Sequence, residues 1–254
     1  MYLARNRRAR TALALTVLVV LAAVASWLAP AASPLRVITP VPTREPPRDA
    51  RHQGPRPVIV PRVAWQAETV ATAPGARYAP AVKAAVIHHT STPNGYDCAT
   101  VPDTLRDLYA GHAYGQHWDD IGYNFLVDAC GTVYEGRAGG VDRPVIGAHT
   151  RGFNEGTVGV AAIGTFNQGA YVPEPMLDAI ARLLAWKLDA RGPDLRGTIA
   201  LVSTNDEARY PKGTTALLPV VGGHTDGFPT RCPGDALYAK IPDISARAAR
   251  LQRR

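Results

Sequence analysis

Apolar positions beyond residue 80 follow two different spacings that alternate along the chain. At 101–113 and 173–190, apolar residues recur every three or four positions, which is the spacing of an amphipathic helix. Short apolar runs typical of strands occupy 83–88, 122–127, 132–135, 157–163, 198–202 and 214–221. Because strands and helices are interspersed, the pattern predicts an α/β (mixed α+β) fold with a central mixed β-sheet flanked by helices.

The first 32 residues have the layout of an export segment. Four arginines within the first ten residues precede the uncharged, apolar stretch 11–28, and small residues follow at 29–32. This order is typical of a signal peptide, but the apolar stretch also has nearly the roughly 18–20 residues that span a bilayer as a helix. The sequence therefore predicts either a signal peptide or an N-terminal membrane anchor over 1–32. In both cases the remaining chain is expected to be secreted or otherwise extracytoplasmic.

Residues 33–61 are rich in proline and predict an extended linker, because such a segment buries too little apolar surface to fold alone. Residues 62–254 then form one domain of ordinary size.

The net charge of +7 belongs to the N-terminal arm and not to this domain. Residues 1–80 hold eleven arginines against three acidic residues, whereas 81–254 hold 17 basic against 18 acidic residues. A nearly neutral domain argues against nucleic acid as a partner. Membrane contact is expected only through the N-terminal segment, and the domain is expected to be a monomer.

Two stretches carry candidate metal-binding chemistry. His224 and Cys232 flank a short loop, and His88 and His89 end an apolar strand. Imidazole nitrogens and thiolate sulfur are common zinc ligands. Successive side chains of a strand point to opposite faces, so one of His88 and His89 can face a metal, and the pattern does not decide which. A further histidine, His112, lies on the apolar side of the first predicted helix and is interpreted as structural.

The sequence contains three cysteines, so at least one of them stays outside any disulfide within the chain. Thiols tend to pair in an oxidising compartment, and pairing Cys98 with Cys130 leaves Cys232 alone. A bound metal would account for an unpaired Cys232, whereas a buried, inert thiol is the alternative. A third interpretation is a thiol hydrolase in which His224 activates Cys232. That mechanism needs a partner to orient the histidine, and only Asp226 is near in sequence.

Six sequence blocks occur in one order between residues 62 and 241. They lie at 85–90, 118–125, 133–137, 147–150, 158–166 and 224–234. Together they resemble the peptidoglycan recognition protein and type 2 N-acetylmuramoyl-L-alanine amidase family, which includes the T7-type lysozyme amidases. The Arg62-x-x-Trp65 pair and the stretch 94–98 are most similar to the actinobacterial branch of that family.

The resemblance implies a zinc-dependent N-acetylmuramoyl-L-alanine amidase. Such an enzyme hydrolyses the amide between the lactyl group of N-acetylmuramic acid and the first L-alanine of the stem peptide. The family's ligands fall on His88, His224 and Cys232, so Zn²⁺ is the implied cofactor and peptidoglycan the implied partner. Inactive members lack the cysteine, which this chain keeps. A non-catalytic peptidoglycan-binding module is the alternative function.

The same resemblance assigns roles to further residues. Tyr123 and Thr230 fall on catalytic positions, where the Tyr123 hydroxyl would donate to the attacking water or to the oxyanion. Thr230 offers a neutral hydroxyl at a position that is either lysine or threonine in the family. His149 and Asn154 fall in the groove that binds substrate. Independently of the resemblance, Arg143 lies in a loop before His149 and is a candidate bidentate partner for a stem-peptide carboxylate, with a solvated surface charge as the alternative.

Overall fold

The structure is a computed structural model that describes residues 54–71, 73, 75–189 and 192–252. The predicted signal or anchor segment 1–32 and the first part of the predicted linker lie outside the described residues. Eight strands are present in these ranges. They are β1 (Ile59–Val60), β2 (Ala84–His89), β3 (Phe125–Val127), β4 (Val133–Glu135), β5 (Thr157–Ala162), β6 (Thr198–Val202), β7 (Thr215–Pro219) and β8 (Val221–Gly223).

Six of these strands form a mixed sheet in the order β1-β4-β3-β5-β2-β8. Only β3 and β4 run antiparallel, and the other neighbours are parallel. All residues of β5 are buried, as expected for a central strand that is covered on both faces. The first strand uses the last residues of the predicted linker 33–61, so the sheet begins before residue 62.

Helices cover both faces of the sheet and confirm the predicted fold class. They are α1 (Val101–Ala110), α2 (Glu174–Lys187), α3 (His224–Gly227), α4 (Asp235–Tyr238) and α5 (Ile241–Gln252). On one face, α2 and α5 contribute Ile180 and Ile244 to a core that also contains Ile87 of β2. On the other face, Leu105 of α1 packs in a second core with Leu126 of β3.

The first helix shows how far the apolar spacing extends. Val101, Leu105 and Tyr109 are buried and lie four residues apart, one turn above another. The α-helix ends at Ala110, and the chain continues as a π-helical turn over Gly111–Gly115. The predicted helix 101–113 is therefore α-helical as far as Ala110 and π-helical beyond it. The spacing of apolar residues does not distinguish these two kinds of helix.

The predicted strand 214–221 is two strands in different sheets. Thr215–Pro219 pairs with β6 as a separate antiparallel hairpin, whereas Val221–Gly223 joins the central sheet beside β2. At the change of sheet, Val220 donates its N–H to Gly197 and accepts from the N–H of Ala85. The prediction of one continuous strand was wrong because an apolar run reports burial and not the pairing partner.

The predicted disulfide between Cys98 and Cys130 is confirmed, and Cys232 is the free cysteine. The bond ties the turn before α1 to the connection between β3 and β4. Within the described residues, no helix is both long and apolar enough to cross a bilayer. The predicted membrane segment 11–28 lies outside those residues.

Candidate metal centre

Two neighbouring parallel strands place two histidines side by side. In the pairing of β2 with β8, Ile87 lies opposite Gly223, so the next residues along the two strands are His88 and His224. Their ring centroids are 4.5 Å apart. Both histidines lie at the carboxyl ends of parallel strands, the edge of an α/β sheet where ligands usually bind.

Cys232 completes a group of three potential ligands. One donor atom each of His88, His224 and Cys232 lies within 4.8 Å of the others. The Sγ atom of Cys232 is 3.7 Å from Nδ1 of His88. Two imidazoles and one thiolate leave one position of a tetrahedral ion open, the ligand number of a catalytic zinc site. The donor set and its spacing therefore fit zinc.

The structure distinguishes between the two neighbouring histidines of β2. His88 is 1% exposed and faces the cluster, whereas His89 points to the opposite face. There the Nδ1 atom of His89 accepts a hydrogen bond from the N–H of Phe166 at 3.3 Å, and its Nε2 atom contacts Ser91 Oγ at 3.0 Å. Both nitrogens of His89 are thus occupied away from the cluster.

Burial keeps the cluster histidines neutral. It lowers the pKa of His88 well below its usual value of 6.5, and the neighbouring charges of His224, His149 and His89 lower it further. Burial likewise lowers the pKa of His224 to about 4, with a smaller contribution from His89. A neutral imidazole has the free lone pair that a metal ligand needs.

The loop that carries Cys232 is held by backbone hydrogen bonds. The N–H of His89 donates to the sulfur at 3.4 Å, and the N–H of Cys232 donates to Thr230 Oγ1 at 3.2 Å. The carbonyl of Cys232 accepts from the N–H of Thr225 at 2.9 Å. Burial raises the pKa of the thiol to about 12, and the hydrogen bond from His89 partly opposes this shift. Without a cation beside it, the sulfur therefore keeps its proton at neutral pH.

Tyr123 lies against the cluster, as its predicted role requires. Its ring centroid is 5.2 Å from that of His88 and 5.5 Å from that of His112. Burial raises the pKa of the Tyr123 hydroxyl, and negative charge on Cys232 raises it further. The hydroxyl therefore stays protonated and can donate a hydrogen bond.

His149 and Asn154 were expected to line the substrate groove, but His149 is buried and Asn154 hydrogen-bonds to the backbone. His149 is 6% exposed, and its ring contacts that of His88. The Oδ1 atom of Asn154 accepts from the N–H groups of His149 and Thr150, both at 2.8 Å. Arg143 lies outside the cluster, with its guanidinium 4.0 Å from the ring centroid of Tyr78.

Two residues near the site were not recognised as part of it from the sequence. His112 accepts a hydrogen bond from the N–H of Gly122 at 3.1 Å and packs against Tyr123, so it supports the predicted catalytic tyrosine. Thr150 Oγ1 lies 3.0 Å from Nδ1 of His149 and 3.4 Å from Nε2 of His88. Its position directly after the histidine in the block 147–150 was the available signal.

A mixed sheet with a partly buried His–His–Cys cluster at its carboxyl edge defines an α/β domain with a candidate metal centre. Residues 78–235 match the N-acetylmuramoyl-L-alanine amidase family (Amidase_2). The chain therefore belongs to this family, as its six sequence blocks indicate.

The proteins that this chain resembles in sequence include recognition proteins and amidases. Peptidoglycan-recognition protein SC2 of Drosophila melanogaster is 40% identical over 160 residues, which cover 62% of this chain and 71% of that protein. Peptidoglycan-recognition protein LE of the same organism is 38% identical over 108 residues, 42% of this chain and 30% of that protein. The N-acetylmuramoyl-L-alanine amidase of Sus scrofa is 32% identical over 187 residues, 72% of this chain and 26% of the amidase. The chain thus spans less than a third of the length of the last two relatives.

Solved structures show the same fold. Bumblebee PGRP-SA superposes with a TM-score of 0.55 at 29% identity, covering 73% of this chain and 94% of that one. Peptidoglycan recognition protein LE, in complex with the monomeric diaminopimelic acid-type peptidoglycan tracheal cytotoxin, superposes with a TM-score of 0.55 at 28% identity. That match covers 73% of this chain and 92% of the other.

Proposed function

We propose that this protein is a zinc-dependent N-acetylmuramoyl-L-alanine amidase that cleaves peptidoglycan between the lactyl group of N-acetylmuramic acid and the L-alanine of the stem peptide. The observation that carries the proposal is the cluster of His88, His224 and Cys232 at the end of two neighbouring parallel strands. Membership in the amidase family supports it, and so does the retained cysteine.

The chain's own residues prepare the site for amide hydrolysis. Zinc, when bound by the three ligands, would act as a Lewis acid toward the scissile carbonyl and make hydroxide available near neutral pH. The protonated Tyr123 hydroxyl donates a hydrogen bond to the carbonyl oxygen as negative charge develops there. The Thr230 hydroxyl already accepts from the N–H of Cys232, so its own proton remains for substrate.

Substrate recognition extends the proposal to peptidoglycan as the partner. The structure of recognition protein LE in complex with tracheal cytotoxin supports a muropeptide ligand for this fold. The Nδ2 group of Asn154 is a candidate donor to the substrate, because its Oδ1 atom is used by the backbone. The Arg143 guanidinium is a candidate partner for a stem-peptide carboxylate. We further propose that the segment 1–32 directs export of the protein, that a linker follows it, and that the domain is a monomer.

The test is digestion of purified peptidoglycan by the full chain, with and without a zinc chelator. We expect release of stem peptides that begin with a free L-alanine, identified by mass. Chelator should stop the release, and added zinc should restore it. Full activity of a protein that is verified to be zinc-free would refute the proposal.

A peptidoglycan-binding module is the second candidate function, because several relatives are named recognition proteins. Stoichiometric zinc and muropeptide binding without cleavage would favour that function.

A thiol hydrolase is less well supported. Asp226 accepts from the N–H of Gly223 at 2.8 Å and from the Tyr238 hydroxyl at 2.7 Å, so both of its oxygens are used away from His224.

A further inference from the structure

One cluster histidine makes a second contact on the side away from the sulfur. The Nδ1 atom of His88 faces Cys232 Sγ at 3.7 Å, and its Nε2 atom lies 3.1 Å from Nδ1 of His149. The two rings meet edge to face, with centroids 5.1 Å apart and an angle of 79° between their planes. His88 therefore lies between the candidate metal position and a second buried histidine.

The hydrogen-bonding capacity of imidazole fixes the direction of this contact. A neutral imidazole has one N–H donor and one acceptor nitrogen. If the lone pair of Nδ1 of His88 binds the metal, its Nε2 atom must carry the proton and donate it. The facing Nδ1 atom of His149 must then accept, which leaves the His149 proton on Nε2.

The surroundings of His149 agree with a neutral acceptor. The side chain is 6% exposed, and burial favours the neutral form of an imidazole. Its Nε2 atom has no hydrogen-bond partner within normal distance among the described residues.

The ring of His149 is held in a slot that two glycines leave open. A Cβ atom on Gly159 of β5 would lie 2.3 Å from Cγ of His149, and one on Gly147 would lie 2.5 Å from its Cδ2. The backbone that carries the ring is also fixed, because Asn154 accepts from the N–H groups of His149 and Thr150. The imidazole is therefore confined to the slot, where its Nδ1 atom faces Nε2 of His88.

We propose that His149 is a positioning residue of the metal centre, which accepts the Nε2 proton of His88 and thereby holds the Nδ1 atom of His88 toward the metal. This role replaces the substrate contact that the sequence resemblance implies for His149. It rests on the proposed zinc site, since it describes how one ligand of that site is oriented. Acceptors on the second nitrogen of a metal-bound histidine typically contribute 10- to 100-fold to metal affinity.

The first test measures zinc affinity of the full chain by competition with a chelator, so that no activity is needed. His149→Leu removes the acceptor but keeps an apolar side chain of similar size, and we expect zinc affinity to fall about 10- to 100-fold. His149→Asn places a carbonyl oxygen near the former Nδ1 position and should recover most of that loss. His117→Asn is the matched control, because His117 is exposed and has a φ of 55°, which asparagine tolerates.

The outcomes separate this inference from the proposed function. If the wild-type chain binds no zinc, both are overturned. If it binds zinc and His149→Leu binds equally well, only the role of His149 is overturned. Weaker binding by His149→Leu with recovery by His149→Asn supports it.

A second measurement needs no substitution and stays decisive if a variant fails to fold. Nitrogen NMR of the zinc-loaded wild-type chain reports which ring nitrogens carry protons. We expect His149 to be protonated on Nε2 and His88 to be protonated on Nε2 with Nδ1 bound to the metal. A proton on Nδ1 of His149, or a metal on Nε2 of His88, would contradict the inference.

Discussion

Two groups of potential metal ligands occur among the described residues, and they differ in the state of their donor atoms. Cys98, Asp128 and Cys130 bring three such atoms within 4.8 Å, but the two sulfurs are bonded to each other. The carboxylate of Asp128 is also occupied, since it accepts from the N–H groups of Cys130 and Thr132 and from the Tyr134 hydroxyl. No donor of this group is free to bind an ion.

The donor atoms of His88, His224 and Cys232 also lie within 4.8 Å of one another, but their chemistry is different. Its sulfur is not in a disulfide, and burial keeps both imidazoles neutral. Its histidines come from rigid strand ends, whereas the first group lies in turns beside α1 and β3. The comparison shows that closeness of potential ligands is not sufficient for a metal site, because their lone pairs must also be free.

Cys232→Ser should have the largest effect of the changes considered, because it removes the free sulfur that distinguishes this group from the first. A serine hydroxyl does not provide the anionic sulfur that zinc binds, so both stoichiometric zinc and amide cleavage should be lost. Metal analysis and release of stem peptide measure the two effects. The double variant Cys98→Ser, Cys130→Ser is the control and should keep its zinc. Wild-type turnover by a zinc-free Cys232→Ser protein would contradict the mechanism.

Tyr123→Phe should separate metal binding from catalysis. The variant keeps all three ligands, so zinc content should not change, but loss of one oxyanion donor should slow turnover by roughly 10²–10³-fold. Tyr171→Phe makes the same change at a tyrosine that is 77% exposed and should leave the rate unchanged. An unchanged rate for Tyr123→Phe would mean that this tyrosine only packs against His88.

Removal of the disulfide should affect stability but not the metal. The bond closes a separation of 32 residues, so Cys98→Ser with Cys130→Ser should lower the free energy of unfolding by about 3–4 kcal/mol. Urea unfolding of wild-type and variant chains in chelator measures this loss. If the folded variant instead loses zinc, the two groups of ligands are coupled and the comparison fails.

Low pH should lower the free energy of unfolding of the metal-free domain, because its buried histidines resist protonation. Unfolded histidine takes up a proton near its usual pKa of 6.5, whereas folded His224 does so near pH 4 and folded His149 near pH 3. Between these values the unfolded chain binds more protons, so stability falls as the pH falls from 6.5 toward 4. The slope is up to about 1.4 kcal/mol per pH unit for each histidine.

Urea unfolding in chelator at several pH values tests this dependence. His149→Asn should flatten it by the share of one histidine. Equal slopes for the two proteins would show that His149 is not the group responsible.

The apolar spacing predicted most of the fold because it reports which residues are buried. The helix Glu174–Lys187 and the strand Thr198–Val202 were expected almost at their observed bounds. The change of sheet at Val220 was missed because the half-buried strand before it and the buried strand after it form one apolar run in the sequence.

The candidate site was predictable to a similar extent. The alternation of side chains reduced the choice to His88 or His89, and the family resemblance favoured His88. The pairing of β2 with β8 shows the physical reason, because it places His88 beside His224. The contact between His88 and His149 joins residues 61 positions apart. It depends on a slot cleared by two glycines, and no spacing in the sequence reports such a slot.

The separation of the three cluster residues along the chain has a consequence for when the cluster can form. Cys232 lies 144 residues after His88, and the strand that brings His224 into place is one of the last elements of the domain. Contacts between distant segments form only once the chain that separates them is closed into a loop. A truncated or half-folded copy therefore cannot bring the three side chains together, so the cluster forms only when the last strand of the sheet is in place.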